Sequence, residues 1–249
     1  MNLRVSGLAA GVLLACGSGL ADVPQPRIEV RPDTRDQLPL PGPNVFAVTL
    51  HSEAGESCLS LSPFVTATVN GEEVPDLFRG AVQATRPSLS CAPPRFDLPL
   101  DLADAPEVTV AFEEGKDRLA ATFRSLGTAL SLAATPPPDG HFRRGSTVGL
   151  SWEPSTDDLS GQVWLLLSSN GGTPAEIHPG TFQGGRGQFT IPATFPLGPA
   201  TLRAQGVRKP AVAACEGAGS CDGSYDLGLG GTGARPVFAI VRVSLTVEP

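Results

Sequence analysis

Tyrosine, tryptophan, histidine and lysine are all scarce in this 249-residue chain. Tyr occurs once, at 225, Trp twice and His three times, and charged residues of both signs make up only 17%. Two lysines stand beside sixteen arginines, and the net charge is −7. That balance excludes partners held mainly by their phosphates, so neither nucleic acid nor anionic lipid headgroups are expected. His51, His141 and His178 are far apart, and no H-E-x-x-H or C-x-x-C occurs, so no zinc site and no other cofactor is expected. No G-x-S-x-G elbow marks a serine nucleophile. Asp157 and Asp158 form an acidic pair, but without a second acidic cluster they read as a solvated turn rather than as glycosidase carboxylates. The chain is therefore not expected to be an enzyme. Beyond the N-terminal region, no run is apolar enough to cross a bilayer as a helix.

Glycine and proline are abundant, at 29 and 25 residues. Both break helices, while a hydrophobic content of 41% is enough to bury cores. The expectation is an all-β chain with long turns. Phe46, Val48 and Leu50 alternate with polar neighbours, as do Val65, Ala67 and Val69. Asn70-Gly71 follows as a two-residue hairpin signal. Val108, Val110 and Phe112 form the next set. Leu119, Ala121 and Phe123 come after a turn at Glu114-Gly115-Lys116. Apolar side chains on one face of each segment indicate a half-buried sheet. His51 falls on the polar face and reads as a solvated strand residue.

The clearest break is Thr135-Pro136-Pro137-Pro138-Asp139-Gly140, read as the first turn of a second domain because 129–134 already reads as a strand. Val148, Leu150 and Trp152 then share a face, with Trp152 placed in the core. Strands follow at 162–168, 188–191 and 200–207, the last after a turn at Pro196-Leu197-Gly198-Pro199. Val237, Ala239, Val241, Val243, Leu245 and Val247 alternate in a closing strand. Trp164 has apolar residues on both sides and reads as buried or interfacial. A Trp ending an alternating strand resembles the second strand of fibronectin type III and related immunoglobulin-like domains, although no Tyr occupies the tyrosine-corner position near 201–205. The resemblance implies an immunoglobulin-like β-sandwich at 128–249, and the succession of short strands over 27–127 indicates another sandwich before it, read as immunoglobulin-like in tandem.

Between the last two expected strands lies a Gly-rich segment, 211–236, read as a solvated loop pinned by a disulfide. It carries the candidate ligand-binding residues Glu216, Asp222, Tyr225 and Asp226, because recognition on a rigid sandwich sits in loops. The spacing does not match an EF-hand. Residues 228–233 satisfy G-x-G-x-x-G by letter. They lack the preceding strand and following helix that a dinucleotide site needs.

Near the N-terminus, Arg4 precedes an apolar stretch at 5–15, too short to span a bilayer. Leu13-Leu14-Ala15-Cys16 resembles the bacterial lipobox. The resemblance implies a signal peptide at 1–15, lipid on Cys16 and a tether over 16–26. Gly17, which is not Asp, further implies passage to the outer membrane. The competing site is cleavage after Ala21, which leaves a periplasmic or secreted protein. Five cysteines are an odd number for an exported chain. Lipid on Cys16 leaves Cys58, Cys91, Cys215 and Cys221, paired by domain as Cys58–Cys91 and Cys215–Cys221. These closures contribute roughly 4 and 2 kcal/mol. The function expected is a structural or protein-interacting envelope lipoprotein, its partner an envelope protein or a glycan. The alternative is a ligand-binding module, for glycan among others, using the 211–236 segment. Non-reducing peptide mapping should recover both expected disulfides, and a peptide linking 58 or 91 to 215 or 221 would refute the pairing.

Overall fold

The structure is a computed structural model that describes residues 17–32, 45–53, 59–83, 90–103, 105–128, 130–157, 159, 163–169, 174–177, 181–227 and 242–249. Apart from a 3-10 turn at Leu20–Asp22 and a one-turn helix at Leu100–Ala103, every regular element among them is a strand. The first nine are β1 (Pro26–Pro32), β2 (Val45–Ser52), β3 (Thr66–Val69), β4 (Glu72–Glu73), β5 (Ala81–Gln83), β6 (Ser90–Ala92), β7 (Arg95–Pro99), β8 (Glu107–Glu114) and β9 (Asp117–Arg124). The next eight are β10 (Ser131–Thr135), β11 (Phe142–Arg143), β12 (Thr147–Glu153), β13 (Val163–Ser169), β14 (Ala175–Ile177), β15 (Thr181–Gln183), β16 (Arg186–Thr190) and β17 (Gly198–Arg208). Three short strands, β18 (Val212–Glu216), β19 (Ser220–Gly223) and β20 (Tyr225–Leu227), precede β21 (Arg242–Glu248).

Two hydrophobic cores form, and their boundary falls between Leu126 and Leu130. The first lies between a sheet ordered β19-β1-β2-β7 and one ordered β18-β9-β8-β3-β4. Alternation carries it as expected: Phe46, Val48 and Leu50 face inward, and so do Val108, Val110 and Phe112. Phe96 and Phe112 meet edge to face across the two sheets, with centroids 5.5 Å apart. The second core lies between β10-β12-β16-β15 and β11-β21-β17-β13-β14. Trp152 is buried there with Val148 and Leu150, as the alternation of β12 requires.

The turn chemistry is largely as expected. Asn70 and Gly71 both take positive φ, 52° and 85°, the geometry of a type I′ hairpin between β3 and β4. Asn70 Oδ1 also accepts a hydrogen bond from the Thr109 N–H at 2.9 Å. Gly115 turns β8 into β9 with φ 60°. The break after Thr135 is indeed internal to the second core, since β10 precedes it and pairs with β12. One turn is misplaced: Gly198 and Pro199 belong to β17, paired with Val247 and Thr246. Of the closing strand, 242–248 is seen, and 237–241 lies outside the described residues.

The largest departure from the sequence reading concerns 211–236. The chain leaves the second core after β17, and its next two strands join the first. β18 adds to β9 as the last strand of one sheet, antiparallel, with Cys215 opposite Ala121. β19 adds to β1 as the last strand of the other, parallel, with Cys221 opposite Ile28. Ala218 and Cys221 pack against the first core. The expected solvated loop is therefore, over 212–223, a strap across the first pair of sheets, and by packing it belongs with 27–127 rather than with the second domain. Its sequence hides this because Val212-Ala213-Ala214-Cys215-Glu216 has no alternation of burial; all five residues are exposed.

Residues 17–26 also differ from expectation, because they are not a free tether. Ser18 forms a parallel bridge with Leu61; its N–H donates to Ser60 O at 2.7 Å, and its carbonyl accepts from the Ser62 N–H at 2.9 Å. Leu20 and Val23 are 2% and 5% exposed, inside the first core. Two apolar side chains three residues apart outweigh the polar composition around them, because leaving both in water costs about 3 kcal/mol or more.

Close packing of the strap makes a direct prediction. Gly217 has φ +68°, and a Cβ there would lie 2.3 Å from Arg118 O. Gly217→Val should lower stability by at least about 2 kcal/mol, through the strained φ and the backbone clash. Gly115→Val, at a positive φ with open space around it, should cost less. Urea unfolding of the two variants checks the order.

Candidate functional site

The strap holds two of the four candidate ligand residues, and each faces an arginine of the first unit. Asp222 in β19 lies beside Arg27 in β1, with Arg27 Nη2 3.2 Å from Asp222 Oδ2. Glu216 in β18 accepts from Arg118 in β9, whose Nε also reaches Glu113 Oε1 at 2.9 Å. The backbones of Tyr225 and Asp226 lie in β20, opposite Arg208 and Val207 of β17. Glu216 and Asp222 meet different arginines, on different sheets. Cys215 and Cys221 are joined, with Cα atoms 5.8 Å apart. Their bond ties the last strand of one sheet to the last strand of the other. Cys91 is in β6, paired in register with Val82. Cys16, Cys58, Asp158, His178 and the glycine motif at 228–233 lie outside the described residues.

Around Asp222 the sheet assembles a network absent from the sequence reading. Arg27, Glu29 and Arg31 alternate with buried Ile28 and Val30, so all three point away from the core. Glu29 is the centre: Arg27 Nη2 lies 3.0 Å and Arg31 Nη2 2.7 Å from its Oε1. His51, opposite Arg27 in β2, brings Nε2 to 3.3 Å from Glu29 Oε2, without the alignment of a hydrogen bond. His51 is thus on the polar face, as alternation predicts, but half-buried in a charged network rather than simply solvated. Glu53 completes it, accepting from Ser220 Oγ at 3.1 Å. Three carboxylates, Glu29, Glu53 and Asp222, thus share two arginines and a histidine. Among the described residues, no three acidic, histidine or cysteine side chains form a metal-binding group.

The most strongly perturbed group lies elsewhere. Asp157, read from sequence as part of a solvated turn, is 3% exposed, and Arg208 is fully buried. Arg208 Nε donates to Asp157 Oδ2, Nη1 to Thr128 O at 2.6 Å and Nη2 to Ser125 O at 3.3 Å. The Asp157 carbonyl in turn accepts from Trp152 Nε1 at 3.3 Å. Burial pushes the Asp157 carboxyl up to about 6, although the Arg208 charge and hydrogen bond and the Ala211 backbone pull the other way. No motif announces this pair. A chain signal exists only in hindsight: Arg208 ends the longest described strand, where an alternating pattern would put a neutral residue.

The pair is structural chemistry rather than catalytic. Its carboxylate has no exposed surface, so no substrate reaches it. Two grooves of about 350 and 480 Å³ lie on the second unit, one lined by Glu153 and Arg186 beside Trp152, the other by Thr147, Glu176 and Gln188. Neither includes a residue of the strap. No protein-family model matches the chain, and no curated protein matches its sequence.

The sign of the pH effect follows from the raised pKa. Stability from Asp157 is fully present below about pH 4 and is lost as pH rises through about 6. Arg208→Met removes the counter-charge, so it should destabilise by about 3–5 kcal/mol at pH 8, where Asp157 is ionised and buried alone. The deficit should narrow towards pH 5 as the carboxyl takes up its proton. Urea unfolding of both proteins between pH 5 and 8 measures the convergence.

Proposed function

We propose that this chain is an envelope lipoprotein, held to the outer membrane by lipid on Cys16, with a structural or protein-interacting role and no catalysis. The two units are read as immunoglobulin-like sandwiches, a reading supported by two facing sheets around each core and by Trp152 buried at the end of β12. The observation that carries the proposal is the packing of 17–21. The two cleavage sites weighed in the sequence differ by that segment. Cleavage after Ala21 discards Leu20, which is 2% exposed, together with the Ser18–Leu61 bridge. A signal peptide does not normally contribute to the core of its own mature protein. Cleavage before Cys16 keeps every one of these contacts.

The ligand-binding alternative is less supported. It rests on Glu216 and Asp222, and both already pair with arginines of the first unit, Arg118 and Arg27.

The test is the N-terminal peptide of the mature protein, analysed by mass spectrometry from isolated membranes. A lipid-modified Cys16 is the expected result, with Cys16→Ser moving the protein to the soluble fraction and abolishing palmitate labelling. A soluble wild-type protein starting at Asp22 would end the proposal. A recombinant chain starting at Asp22 should also be less stable than one starting at Gly17 by about 2–4 kcal/mol, the cost of emptying the Leu20 site.

A further inference from the structure

We propose that the turn at 62–65 rests in the bilayer surface, with Phe64 inserted among the lipids, so that the first unit stands on the membrane by this end. The inference rests on lipid anchoring at Cys16 and adds the surface through which the folded protein meets that membrane.

Two observations meet here. The first is where the chain leaves the fold toward Cys16. Gly17 lies so close to the 61–62 backbone that a Cβ would fall 2.2 Å from Leu61 O. With Ser18 hydrogen-bonded on both sides to 60 and 62, no slack remains between an anchor at Cys16 and the domain. The second is what lies beside that exit. Phe64 is 78% exposed, the most exposed of the large hydrophobic residues described, and Phe78 is 41% exposed. Counting residues through the Ser18–Leu61 bridge, Phe64 lies within about 25 Å of Cys16 even with the chain extended.

A single exposed apolar side chain is ordinary. Phe64 differs in how firmly it is presented. The Val65 N–H donates to Ser62 O and the Phe64 N–H to Ser62 Oγ, both at 3.2 Å. Arg79 Nη2 clamps the turn from the other side, reaching Pro63 O at 3.3 Å and Val65 O at 3.0 Å. Arg79 O accepts from the Leu61 N–H at 2.8 Å, which places Phe78 and Arg79 against the same exit. A ring held outward on a rigid turn loses little entropy when it enters an apolar layer. The occupant is lipid rather than a second protein because the anchor fixes which surface faces the bilayer. With a net charge of −7, the contact depends on apolar insertion rather than on anionic headgroups.

The experiment uses full-length lipidated Phe64→Trp, its modification verified by mass, in phosphatidylcholine vesicles with and without brominated acyl chains. Leu197→Trp, also at an exposed apolar position (47%), serves as control, and wild-type emission is subtracted for Trp152 and Trp164. The Phe64→Trp signal should be quenched at least twofold by brominated lipid, and the Leu197→Trp signal should not. Lipidated Phe64→Trp with unquenched emission overturns this inference and leaves the anchor standing. A chain carrying no lipid overturns both.

Discussion

A guanidinium with no exposed surface sits where the chain passes between the two cores in both directions. Going forward, the chain leaves the first core at Leu126 and enters the second at Leu130, and Arg208 binds the carbonyls of Ser125 and Thr128 on that crossing. Going back, Arg208 is itself the last residue of β17 before the chain returns to form β18. Removing such a cation from water costs several kcal/mol, so the site is occupied only when carboxylate and carbonyls are all in place. Asp157 supplies the carboxylate from the loop after β12, and Trp152 Nε1 holds the Asp157 carbonyl. The crossing geometry and the packing of the second core's tryptophan are thus one arrangement.

That arrangement lets the strap reach the first unit. Residues far along the chain supply the last strands of both first-unit sheets, so those sheets are complete only once β18 and β19 have docked. Such contacts span most of the sequence and are slow to form. The Cys215–Cys221 bond joins β18 to β19, so it holds one sheet against the other at their margin. Arg27 to Asp222 and Arg118 to Glu216 add little energy each, being partly exposed. Their effect is on register, because a one-residue slip of either short strand would separate the charges.

The N-terminal end obeys the same logic of apolar side chains overriding composition. Gly17, Ser18 and Gly19 suit a flexible spacer, but Leu20 and Val23 have a core to enter, and the small residues before them allow the backbone to lie flush on 60–62. The anchor proposed on Cys16 would be one residue from this docked segment. The lipoprotein reading and the orientation at the membrane both depend on that docking.

Local periodicity determined the strands that alternate, such as β2, β3, β8, β9 and β12, together with the hairpin at Asn70-Gly71 and the interior position of Trp152. Each is set by neighbours within a few residues, through side-chain alternation or left-handed turn positions. Tertiary structure alone decided the ownership of 212–223, the docking of 17–23, the Glu29 network and the burial of Asp157 with Arg208. A pattern of residues records which face of a strand is apolar, and it contains no term for which sheet that strand will join. Arg208 and Asp157 are hydrophilic by type, and only the coincidence of two crossings at one point made a dry site in which each could be paired.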